Sequence, residues 1–222
     1  MGYTVPMAPT IRAALFDLDG TLADTLADLA NATNFALAQL GCPVHPADAY
    51  RLFVGDGART LCQRVLPPDR QGLADQAVQL MRQHYEAHCF DLTRLYAGIP
   101  ELVSALRDRG CRLAVLSNKP DDFTRQMIDR YFQPSPFDIV RGQRAGVPLK
   151  PDPAAALEMA REMAVPPSDW MYLGDTNTDM RTARAAGMLA VGVLWGFRDR
   201  AELLASGAQR LVARPAEILE LL

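Results

Sequence analysis

The chain has 222 residues, 49% of them hydrophobic and 22% charged, with a formal net charge of −3 at pH 7. That much apolar side chain offsets the entropy lost on folding, which excludes a disordered protein, and no apolar run approaches the roughly 20 residues of a membrane-spanning helix. Basic residues are scattered over a slightly acidic chain, so neither a nucleic-acid surface nor a polybasic membrane patch is expected.

Residues 1–10 lack the charged start and long apolar stretch of a secretion signal, and Pro6 stands where a myristoylation signal needs Ser or Thr. They read as a loose N-terminus of a cytoplasmic protein. The first apolar run, 13–16, reads as a buried strand. From 22 to 91 the pattern turns helical, over 23–40, 46–52, 58–65 and 71–88, with no convincing strand. Thereafter strands at 113–116, 139–140, 171–173, 189–194 and 211–212 alternate with helices at 100–109, 121–131, 153–164 and 178–186. Strands separated by helices predict a parallel sheet covered on both faces: an α/β, Rossmann-like core of three layers. The expected division is a core of residues 11–21 and 92–222 and an all-helical insertion of residues 22–91. Cys42, Cys62, Cys89 and Cys111 form no C-x-x-C pair and read as reduced thiols.

In such sheets ligands bind beyond the carboxyl ends of the strands. The first strand runs into Phe16-Asp17-Leu18-Asp19-Gly20-Thr21, two acids whose repulsion calls for a cation or a shared proton. The second runs into Ser117-Asn118-Lys119. Lys150 precedes Pro151-Asp152-Pro153, in which Asp152 and Pro153 resemble a helix cap and first turn. The fourth such place is Leu173-Gly174-Asp175-Thr176-Asn177-Thr178-Asp179; a helix starting inside it would bring Asp179 back toward Asp175. Lys119 and Lys150 are the only lysines in the chain. A chain that otherwise uses Arg keeps Lys where a compact point charge is needed.

This ordered set resembles the haloacid dehalogenase superfamily over nearly the whole chain. Asp17-x-Asp19-Gly20-Thr21 matches its first motif, Ser117 the second, Lys150 the third and Gly174-Asp175-x-x-x-Asp179 the fourth. The helical insertion is similar to the family's cap domain. The resemblance implies that Asp17 is a nucleophile forming an aspartyl-phosphate and Asp19 a general acid and base. It implies Mg²⁺ held by Asp17, Asp19 and Asp175, with Asp179 beside it, and phosphate bound by Ser117, Asn118, Lys150 and Thr21. Asp19 sets the chain apart from the dehalogenases, which lack that second acid, and from phosphonate-cleaving relatives, which carry a small residue there.

A finer resemblance, in Val54-Gly55-Asp56-Gly57-Ala58 with Leu61 and Arg64, and in Gly192 to Phe197, is to the phosphoglycolate phosphatase subgroup. Asp56 departs from the Asn expected there. The implied substrate is a small phosphorylated metabolite, 2-phosphoglycolate first, with Arg59 or Arg64 pairing its carboxylate. A sugar phosphate, amino-sugar phosphate or pyrophosphate, a phosphomutase reaction and a phosphoreceiver module are the alternatives, and a monomer or homodimer is expected. His84 and His88, spaced i and i+4, read as solvated because no third ligand accompanies them. Met159, Met163 and Met171 read as core, and Trp195 as either core or the edge of the site.

Overall fold

In this computed structural model, residues 11–222 are described; the stretch expected to be loose, residues 1–10, lies outside them. The strand β1 (Ala13–Phe16) is buried at every position, as a strand covered on both faces must be. It lies between β4 (Arg112–Pro120) and β6 (Trp170–Gly174). With β5 (Ile139–Gln143), β7 (Leu189–Val193) and β8 (Arg210–Val212) these form a six-stranded parallel sheet in the order β5-β4-β1-β6-β7-β8.

Successive residues of each strand point to opposite faces, and the two faces pack separate cores. Ala14, Phe16, Leu113, Val115, Met171 and Leu173 join one cluster, together with α5 (Ile99–Asp108) and α6 (Asp121–Tyr131). Ala13, Leu15, Ala114, Leu116, Trp170 and Tyr172 join the other, with α7 (Ala154–Glu162), α8 (Asn177–Ala186) and α9 (Arg200–Ala205). The result is the three-layer α/β core that the alternation predicts. Truncating a central side chain such as Leu15 to Ala would cost about 2–5 kcal/mol.

Between β1 and β4 the chain makes α1 (Leu26–Gln39), α2 (Tyr50–Phe53), α3 (Ala58–Val65) and α4 (Ala74–His88). α1 and α4 pack along each other. This stretch also holds a strand where none was expected: β2 (Ala23–Asp24) pairs antiparallel with β3 (Arg94–Leu95). Two residues are too few for any period to show, and this ribbon delays the first helix to Leu26. The exit is fastened as well. The buried Asp28 carboxylate accepts from the backbone N–H of Leu92 and Thr93 and from the Thr93 hydroxyl, at 2.7–3.1 Å. All four cysteines are buried and free, Met159, Met163 and Met171 are core, and no helix among the described residues is long and apolar enough to cross a membrane.

Candidate active site

Parallel neighbours end together, so the registers Phe16 with Val115 and Phe16 with Leu173 carry Asp17, Ser117 and Asp175 to one rim. α8 then starts at Asn177 and puts Asp179 in its first turn. The Asp179 carboxylate caps that turn, accepting from the Thr176 N–H at 3.1 Å and its hydroxyl at 2.7 Å. Gly174 is required here, because a Cβ on it would lie 2.2 Å from that of Asp179. Gly20 is required too: its φ is +85°, and a Cβ would strike the Asp175 carboxylate at 2.2 Å.

Lys150 reaches the same point. Its ammonium donates to Asp17 Oδ1 at 2.8 Å, Asp179 Oδ1 at 2.7 Å and the Leu116 carbonyl at 3.1 Å. Burial alone would favour the neutral amine, but Asp17 and Asp179 outweigh it and hold Lys150 protonated well above the ordinary lysine range. Asp175 accepts from the Thr21 hydroxyl at 3.0 Å and the Phe197 N–H at 2.8 Å.

One ammonium does not balance three acids. Burial, with the Asp179 charge beside it, pushes the Asp17 carboxyl up to about 7 in spite of Lys150. Burial followed by Asp179 and Asp17 drives Asp175 well above the carboxylate range. One carboxylate oxygen from each of Asp17, Asp175 and Asp179 lies within 4.8 Å of the others. A buried knot of hard oxygen donors fits a small divalent cation, which would return Asp17 and Asp175 to their ionised forms.

Asp19, two residues beyond Asp17, belongs to a different arrangement. Its carboxylate accepts from the Lys119 ammonium at 3.0 and 3.4 Å, and Lys119 also donates to the Tyr85 hydroxyl of α4 at 2.8 Å. Asp17, Asp19, Ser117 and Lys119 line a cavity of about 90 Å³ closed from the other side by Val54, Leu61, Met81 and Tyr85.

A model of the haloacid dehalogenase-like hydrolase family matches residues 14–193. The chain belongs to the haloacid dehalogenase-like hydrolases. It is 35% identical over 192 residues to a phosphoglycolate phosphatase of Pseudomonas putida, covering 84% of this chain and 70% of that one. To a phosphoglycolate phosphatase of Nitrosospira multiformis it is 35% identical over 194 residues, 85% and 86% of the two chains. The crystal structure of a protein assigned as a phosphoglycolate phosphatase from Lactobacillus delbrueckii superposes with a TM-score of 0.90 at 30% identity, covering 95% and 98%.

For a haloacid dehalogenase-like hydrolase the structure brings Asp17, Asp19, Ser117, Lys150, Asp175 and Asp179 together, and it gives the other four expected site residues partners of their own. The Thr21 hydroxyl donates to Asp175 at 3.0 Å. The Asn118 amide is taken up by backbone, donating to the carbonyls of Gly55 and Lys150 at 3.0 Å while its oxygen accepts from the Lys150 N–H at 2.9 Å. Arg59 points to solvent and pairs with Asp75 at 2.9 Å. Arg64 pairs with Asp56 and donates to the Phe53 carbonyl, so neither arginine lines the cavity. Being long and half solvated, both satisfy themselves locally.

Trp195 proves to be a brace, donating to the Thr21 carbonyl at 3.0 Å. His84 and His88 stack with ring centroids 4.4 Å apart, and His88 pairs with Asp91. Tyr85 and the ties of the 51–56 loop escaped sequence reasoning. Asn118 and Arg198 donate to the carbonyls of Gly55 and Val54, and Thr178 donates to Asp56 at 2.7 Å. Arg51 donates back to the Gly196 carbonyl at 3.2 Å. Single tyrosines and backbone carbonyls leave no motif; the one available signal was the departure from Asn at position 56.

Proposed function

We propose that this chain is a Mg²⁺-dependent phosphatase of small phosphate monoesters, best matched by 2-phosphoglycolate, that works through an aspartyl-phosphate on Asp17. The observation that carries this reading is the convergence of Asp17, Ser117, Lys150, Asp175 and Asp179 on one rim beside a small cavity.

The Asp17 carboxylate attacks phosphorus in line while the bond to the alcohol oxygen breaks, and Asp19 gives its proton to the departing alkoxide. Asp19 then takes a proton from the water that attacks the aspartyl-phosphate, freeing phosphate and restoring Asp17. Lys150 keeps the Asp17 carboxylate oriented through their 2.8 Å contact and, with Ser117, meets the charge that spreads over the phosphoryl oxygens. Asp17, Asp175 and the Asp19 backbone carbonyl, with Asp179 alongside, would hold Mg²⁺, which would supply the remaining positive charge.

Residues 22–91 serve as the cap and residues 11–21 with 92–222 as the core. The cap excludes water while phosphorus is transferred and admits one molecule afterwards. The buried free cysteines suit a reducing compartment, the cytoplasm. A cavity of about 90 Å³, far below the roughly 300–1,000 Å³ typical of drug-sized ligands, supports a leaving alcohol of only a few heavy atoms.

Phosphate release from a panel of phosphorylated metabolites with Mg²⁺ tests this reading. The expected result is turnover of 2-phosphoglycolate that EDTA stops and that falls by about four orders of magnitude in Asp17→Asn, an isosteric change. Near-normal turnover by Asp17→Asn would remove the nucleophile, and a phosphoprotein stable for hours would favour a phosphoreceiver instead.

A further inference from the structure

Two cations line the cavity among the described residues, and they differ in what they are free to do. Arg82 of α4 is paired with Asp122, lies over the Phe123 ring at 4.9 Å and has half its side chain in solvent. Lys119 is buried, with only 3% of its side chain exposed. An ammonium carries three protons; the Asp19 carboxylate and the Tyr85 hydroxyl are its partners among the described residues. The 3.0 and 3.4 Å contacts to the two oxygens of one carboxylate share a single proton and Tyr85 takes a second, which leaves the third for a group inside the cavity. Away from the strand-end residues Asp17, Asp19, Ser117 and Asn118, the wall is largely apolar, with Val54, Leu61, Met81 and Phe123 on it, so an anionic group on the leaving alcohol would be poorly compensated there without Lys119.

We propose that Lys119 is the specificity residue of this site: it binds a carboxylate on the short leaving alcohol, and Tyr85 from α4 presents it. This assignment rests on the phosphatase reading above and adds the part of the substrate that reading leaves unread. A carboxylate fits where a second phosphate does not, because so small a cavity must already hold the phosphoryl group. The arrangement also straddles the seam between sheet and helices. Lys119 ends β4 while Tyr85 comes from α4, so the recognition point is complete only with the helices seated on the sheet.

The test compares 2-phosphoglycolate with ethyl phosphate, which has a methyl group in place of the carboxylate, in the wild type, Lys119→Met and Tyr85→Phe. The quantity read is the ratio of the two kcat/KM values, in which any effect of Lys119 on Asp19 cancels because both substrates need Asp19. The wild type is expected to prefer phosphoglycolate, and Lys119→Met to lower the ratio by about 30-fold, mainly through the KM of phosphoglycolate, as for a lost hydrogen bond between charged groups. Tyr85→Phe, which keeps the ring, is expected to lower it by a few-fold. An unchanged ratio in Lys119→Met, with both substrates slowed alike, overturns the assignment and leaves Lys119 as a support for Asp19. A wild type that turns over both equally overturns it without any variant, should Lys119→Met fail to fold. Release of phosphate from neither compound defeats the phosphatase reading itself.

Discussion

The two lysines of this chain sit in contrasting regions. Lys150 is enclosed by the sheet and its own crossovers: its partners Asp17, Asp179 and Leu116 all belong to the core layers. Lys119 stands at the seam, with Asp19 on one side and Tyr85 from the helical segment on the other. The difference separates two tasks. The groups proposed to meet phosphorus are held mainly by the core layers, whereas the group assigned to the leaving alcohol depends on how the helices are seated, with Asp19 joining the two through Lys119.

The largest expected effect breaks the Lys150 side of this contrast. Lys150→Met leaves Asp17 and Asp179 buried with their shared cation gone, so the protein should lose about 3–5 kcal/mol of stability as well as its turnover. A urea melt checks this, and a midpoint within error of wild type would show that the enclosure is not electrostatically tight. Removing Asp19 sharpens the contrast, because Asp19 serves the chemistry while leaning on the seam. Asp19→Ala should slow alkyl monoesters by about 10²–10⁴-fold and p-nitrophenyl phosphate much less, since nitrophenolate leaves without a proton. Equal slowing of the two would strip Asp19 of its acid role.

The smallest effect concerns the seam away from the chemistry. The Asp56 carboxyl is held below its ordinary 3.8: burial raises it, but the Thr178 hydroxyl and the Arg64 guanidinium outweigh burial. A depressed folded-state value means that the ionised form stabilises the native protein above about pH 4 and that this contribution disappears as pH falls through the lower value. Asp56→Asn should therefore be less stable than wild type by at most about 1 kcal/mol at pH 7, with a smaller gap at a pH below the ordinary 3.8. Urea midpoints at the two pH values measure it, and a gap independent of pH would assign the difference to shape rather than charge.

Much of this was legible in the sequence. The helices at 58–65 and 121–131 carry the expected bounds, because apolar spacing and flanking breakers agree there. The six core strands showed as apolar runs, though β4 continues to Pro120, since Ser117, Asn118 and Lys119 extend the backbone without adding hydrophobic signal. The gathered acids were legible because each follows a strand, and parallel strands end side by side. What the sequence withheld was direction. Thr21, Asn118, Arg59 and Arg64 all stand in or near the right motifs, yet their side chains turn to Asp175, to backbone carbonyls, to Asp75 and to Asp56. Motif spacing reports which residues are near, and only the local hydrogen-bond competition decides which of them remain free.

The segment from Arg51 to Asp56, the end of α2 and the turn that follows it, is stitched to the sheet side by Arg198, Asn118, Thr178 and its own Arg51. Each stitch is worth about 1 kcal/mol net, and because they crowd into one short stretch they must let go nearly together. Any opening that parts this segment from the sheet side would have to release a cluster of ties, each local to this stretch, while the acids gathered at the strand ends keep their places.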